Sequence, residues 1–97
     1  MERVLVKVDP DLKDLIPEFL RRKREDSTAI SEALAAGDFA KIKRLAHNIK
    51  GEGGSFGFDP LSEIGAELER SASEANAEAS RKLALRLADY LERVEVI

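Results

Sequence analysis

His47 is the one side chain in this sequence suited to nucleophilic or acid–base chemistry near neutral pH, and it is the only histidine. There is no cysteine, which removes disulfides, thiolate zinc sites and cysteine nucleophiles. A single imidazole cannot build a multi-histidine metal centre. Asp and Glu total 19, but no spacing among them argues for a metal site held by the chain or for a glycosidase-type carboxylate pair. There is no Gly-x-x-x-x-Gly-Lys-Ser/Thr loop and no kinase signature, so neither a nucleotide nor any other cofactor of the chain's own is expected. Covalent chemistry, if the chain performs any, should start at His47.

Helical geometry sets the surroundings of His47. A helix opens at Asp38. With Ile42 at zero and ~100° per residue, Leu45, Ala46, Ile49, Gly53 and Phe56 fall within ~60° and form the core stripe. His47 falls at ~140° and should point into solvent. Lys43 and Lys50 flank it at ~100° and ~80°, and Gly51 and Gly54 share its side at ~180° and ~120°. A lone histidine is ordinarily a surface residue or a satisfied core one. The geometry disfavours the core, and an ordinary surface histidine does not explain the glycines.

Each helix-interior glycine costs ~1 kcal/mol relative to alanine, and residues 51–58 contain Gly51, Gly53, Gly54 and Gly57. Either the helix ends at Gly51 and a loop follows, or it runs on to about Ser55, in keeping with the phase of Phe56. In the second case Gly51 and Gly54 keep the surface beside His47 bare for another protein. Lys50, one turn on, can meet a phosphoryl group on the ring by a charge-assisted hydrogen bond. Lys43 and Arg44, with Lys41, add positive charge that would steer an acidic partner. Lys43, Arg44, Gly51 and Gly54 then form a candidate docking surface. Lys41 and Arg44 fit an ordinary solvated face equally well.

Several amphipathic segments must position these residues. Residues 1–8 alternate weakly, as a short strand or an extended lead-in would. Asp9-Pro10-Asp11 is a helix start, with a carboxylate cap before a proline. Ile16, Phe19, Leu20, Lys23, Ser27, Ile30 and Leu34 follow helical spacing, with Lys23 and Ser27 diluting the apolar stripe. Pro17 should kink this helix or split off a short first one, and Gly37 ends it. Asp59-Pro60 repeats the start signal ahead of Leu61, Ile64, Gly65, Leu68 and Ala72. A turn is expected around Ser73 to Asn76, and Leu83, Leu87, Tyr90, Leu91 and Val94 supply the last stripe. The pattern predicts an all-α fold, an antiparallel up-and-down four-helix bundle with a short or kinked N-terminal helix.

The chain has 97 residues, enough for one modest core and too few for a large internal cofactor cavity. Its net charge of −3 and the lack of Trp oppose DNA or RNA binding. No apolar run approaches the ~20 residues that cross a bilayer, and the N-terminus does not read as a signal peptide. A cytoplasmic protein without membrane contact is the expectation. A monomer is expected too, because the bundle can bury its own stripes.

The run Leu45-Ala46-His47-Asn48-Ile49-Lys50-Gly51, then Gly54-Ser55-Phe56-Gly57-Phe58, then Leu61 and Leu68-Glu69, resembles the signature of histidine-containing phosphotransfer domains. These occur in multistep two-component phosphorelays and at the front of chemotaxis-type kinases. Phe19-Leu20 and the stretch from Ala33 to Phe39 extend the resemblance over about residues 9–95. Residues 1–8 stand outside it as a lead-in to a domain spanning 9–97. The resemblance implies a four-helix bundle with the histidine exposed midway along one helix. It implies phosphorylation of His47, help from Lys50 in holding the phosphoryl group, and clearance at Gly51. Glu52 stands where the family often has a small residue.

On that basis the chain is expected to be a phosphocarrier without turnover of its own. Its partners would be a receiver (response regulator) domain or a histidine kinase, with magnesium supplied by the receiver. Two rivals remain: a non-catalytic helical adaptor docking through its glycine face, and the front domain of a chemotaxis-type kinase.

Overall fold

The computed structural model describes residues 2–97; Met1, the first residue of the lead-in, lies outside the described residues. The Asp9 carboxylate accepts from the Asp11 backbone N–H, and Pro10 opens a 3-10 helix over Pro10–Leu15. The next helix, α1, spans Ile16–Ala36. Pro17 lies in its first turn, where an N–H has no intrahelical partner to lose. The expected short first segment is therefore a 3-10 helix set off just before Pro17.

Gly37 ends α1 in a left-handed conformation (φ +70°). The N–H of Asp38 reaches the Ala33 carbonyl at 2.8 Å and that of Gly37 reaches Leu34 at 3.1 Å, which satisfies two of the last carbonyls. Asp38 then caps α2, Phe39–Ser55, by accepting from Lys41 N–H. The continuous helix is thus the observed reading of the glycine-rich stretch. Gly57 (φ +86°) closes α2 as Gly37 closes α1, with Phe58 N–H on the Gly53 carbonyl at 2.8 Å.

α3 spans Asp59–Ser73 and α4 spans Ala77–Arg93. Asp59 was expected as the cap of α3, but the cap position falls on Phe58, whose side chain is drawn fully into the core; Asp59 stands one residue inside, in the first turn. Its negative charge there still favours the helix dipole. Asn76 caps α4 by accepting from Ala79 N–H.

Each helix packs on the next and α1 closes on α4, giving the four-helix bundle. Phe19, Ile30, Ile42, Ile49, Phe58, Leu61, Leu68 and Leu87 are wholly or almost wholly buried. Phe19 stacks on both Phe56 and Phe58, with ring centroids 4.4 and 5.4 Å apart, beneath the glycine-rich end of α2. Buried Ser71 and Ser80 satisfy each other across α3 and α4 at 2.8 Å.

The all-α expectation needs one addition. The lead-in contains a strand, β1 (Val4–Val6), which pairs in parallel with β2 (Val94–Val96). Val94, read as the end of the last helical stripe, opens β2 instead, and its buried side chain still joins the core. No helix among the described residues is long and apolar enough to cross a membrane.

Candidate functional site

The site begins where two glycines let two backbones touch. A Cβ on Gly65 would stand 2.7 Å from the backbone nitrogen of Lys50 and 3.0 Å from the Ala46 carbonyl oxygen. One on Gly53 would stand 2.9 Å from the backbone nitrogen of Ser62. No other residue fits at either point without parting α2 from α3. Ser62 Oγ adds a hydrogen bond to the Lys50 carbonyl at 2.7 Å. The turn of α2 that carries His47 and Lys50 is thereby fixed against α3.

Across this contact Glu69 reaches both residues. Its Oε2 lies 2.9 Å from His47 Nδ1, and its Oε1 accepts from Lys50 Nζ at 2.7 Å. The hydrogen bond from Lys50 holds the Glu69 carboxyl below its ordinary range; desolvation opposes this, and the bond to His47 adds to it. An ionised carboxylate can only accept, so Nδ1 carries the ring proton and the neutral imidazole keeps its lone pair on Nε2. The His47 side chain is 64% exposed, which leaves the ring open to solvent. The arrangement offers an accessible nucleophilic nitrogen, a fixed tautomer and an ammonium group beside it.

Glu69 belongs to the quoted motif, but the sequence alone assigns it no role. The available signal was Gly65, a glycine within an apolar helical stripe. Such a residue marks close approach of another backbone, and an acid one turn later is placed to reach across.

The remaining predicted residues lie around this centre. Lys43 and Arg44 are exposed, and neither they nor Lys41 takes part in any ion pair among the described residues. A Cβ on Gly51 would meet nothing within 4 Å, and one on Gly54 only Ser62 Oγ at 3.7 Å. These two glycines therefore leave open surface, whereas Gly53 and Gly65 serve helix contact.

Glu52 turns the other way, toward α1. It accepts from Lys23 Nζ at 2.6 Å and from Arg22 at 3.1 Å. Burial pushes its carboxyl up, but Lys23 and then Arg22 outweigh that and the net shift is downward. Lys23 is 2% exposed, also bonds Asp26 at 2.8 Å, and lies over the Phe19 ring. The lysine that interrupts the α1 apolar stripe is thus a buried cation with two carboxylate partners.

A comparison with protein-family models matches the Hpt domain over residues 14–96. Neither the comparison with curated proteins nor that with solved structures gives a match.

Proposed function

The chain belongs to the Hpt domain family, and from that premise we propose that it carries a phosphoryl group on Nε2 of His47 between a phospho-aspartate and a second acceptor. The observation that carries this reading is the bridge made by Glu69 between His47 Nδ1 and Lys50 Nζ on an exposed face.

In the forward step the Nε2 lone pair attacks the phosphorus of a phospho-aspartate on a receiver domain. The N–P bond forms as the P–O bond to the aspartate breaks, and the aspartate carboxylate leaves with the electron pair. Positive charge appears on the imidazole, which still holds the Nδ1 proton. Glu69 stabilises that charge through the Nδ1–H hydrogen bond and keeps the ring oriented. Lys50 sits within the same network and neutralises charge on the transferred group. Glu69 is a positioning residue here, because it acts through His47 and Lys50. The chain supplies the nucleophile and the docking face, made of Lys43, Arg44, Gly51 and Gly54. Magnesium is placed on the receiver. The reverse step returns the group to another aspartate, so the chain is a carrier without turnover.

The test is label transfer from a phosphorylated receiver domain or from phosphoramidate to the wild type and to His47→Gln. Acid-labile, alkali-stable label on the wild type alone is the expected result. A folded wild type that takes label from neither donor sinks the proposal and leaves the adaptor reading. Transfer from an ATP-bound kinase domain but from no receiver would instead assign the chain to the front of a chemotaxis-type kinase.

A further inference from the structure

The charge on α2 is unevenly distributed. Residues 39–51 contain Lys41, Lys43, Arg44 and Lys50 and no Asp or Glu, in a chain whose net charge is −3. α1, α3 and α4 each carry an acid in the first turn: Glu18, Asp59 and Glu78. α2 has none there and has Lys41 in its place. The N-terminal end of a helix dipole favours negative charge; α2 meets it only with the carboxylate of its cap, Asp38, and three cations, Lys41, Lys43 and Arg44, follow with no further acid. Lys41, Lys43 and Arg44 pair with no carboxylate among the described residues. Three cations unpaired within the fold are free to meet opposite charge outside it.

His47 stands at the boundary of two unlike halves of this helix. Toward the N-terminus, Lys43 and Arg44 lie one turn away on the exposed side. Toward the C-terminus, Gly51 and Gly54 present bare backbone, and Glu52, the nearest acid in sequence, is turned to α1 and held by Lys23 and Arg22. A protein that carries its phosphoryl group on a carboxylate, and holds magnesium through further oxygen ligands, is acidic around the reacting group. The chain as a whole is acidic and disfavours such a surface, whereas this face attracts it.

We infer that the partner presents its acidic surface to the first two turns of α2, so that Lys43 and Arg44 set the rate and direction of encounter while the closest approach falls on the Gly51–Gly54 end. This rests on the phosphocarrier reading and adds to it an orientation and a division of labour. Lys43 and Arg44 need not touch the phosphoryl group. Their effect is long-ranged and is therefore screened by salt.

The experiment measures second-order transfer from a labelled phospho-receiver domain at low and at high ionic strength. It compares the wild type, the double variant Lys43→Glu/Arg44→Glu, and the control Lys7→Glu/Lys13→Glu, which makes the same change in net charge elsewhere on the surface. At low salt the α2 variant is expected to transfer about tenfold or more slowly, with the gap closing at high salt, while the control stays near the wild type. Circular dichroism of the α2 variant should match that of the wild type. Equal losses in both variants, no loss in the α2 variant, or a loss that persists at high salt would each overturn the orientation. A wild type that takes label from phosphoramidate but from no receiver overturns this inference and the receiver as donor, and leaves His47 as the phosphoryl carrier. A wild type labelled by neither removes the reading beneath it.

Discussion

Two lysine–glutamate pairs tie α2 to its neighbours, one on each flank, and they occupy opposite environments. On the α1 side, Lys23 is 2% exposed, pairs with Glu52 and Asp26, and lies over an aromatic cluster. On the α3 side, Lys50 is 40% exposed, and its partner Glu69 also holds His47. The contact distances are nearly the same, at 2.6 and 2.7 Å. What differs is access. Water and an incoming anion can compete for Lys50, so that pair contributes little to folding and can exchange partners. Neither reaches Lys23 readily, so breaking its pair strands charge in the interior. Burial makes one pair a fastener and leaves the other available for chemistry.

The largest test of this contrast is Lys23→Met. It removes the buried cation and leaves Glu52 and Asp26 without it, and should cost about 2–3 kcal/mol in urea unfolding, toward the low end for a broken buried pair because both acids keep some contact with water. Adding Glu52→Leu should recover most of that loss. Lys50→Met should cost less than about 1 kcal/mol by the same assay yet slow phosphoryl uptake on the order of a hundredfold. Were Lys50→Met the more destabilising of the two, the division between flanks would fail.

The α3 flank relies on missing side chains, which gives the next comparison. Gly65→Ala drives a methyl group into the α2 backbone and should lose about 2 kcal/mol. Gly51→Ala meets open space in the middle of a helix and should gain up to about 1 kcal/mol. Thermal unfolding of the two variants reads both signs.

A smaller effect is expected from acid. Glu52 has a lowered pKa in the fold, so its contribution is fully present above the ordinary carboxylate value of 4.5 and is lost as pH falls through the lower folded value. In Lys23→Met the loss of stability below that range should shrink, which a pH series of urea midpoints can show. The smallest change expected is Lys41→Glu, which would put a negative charge in the first turn of α2 and raise stability by about 0.5 kcal/mol, read from the same urea midpoints.

The helices were legible because their signals are local. Asp9-Pro10, Gly37 and Asp38 mark ends within a residue or two, and the phase of Phe56 carries α2 through three glycines. The exposure of His47 followed from the same arithmetic. What was not legible depends on partners far along the chain. Lys23 in an apolar stripe calls for a buried acid, but nothing local names Glu52, 29 residues on. Glu69 meets His47 across 22 residues, by way of a glycine contact that only the packed helices reveal. β2 was hidden for a further reason: Leu87, Tyr90, Leu91 and Val94 keep helical phase up to its first residue. A strand of three residues is specified by its partner more than by its own sequence.

The pairing of β1 with β2 also has a mechanical side. Because the strands are parallel, residue 2 leaves the sheet at one end and residue 97 at the other. Tension applied between those two points slides one strand along the other. It then loads the ladder, the Ile97–Val6 bond and the Arg93–Glu2 and Arg3–Glu92 contacts together rather than one after another. Pulled along its ends, the bundle should hold in shear, whereas a force across the strands would peel the same few bonds apart singly.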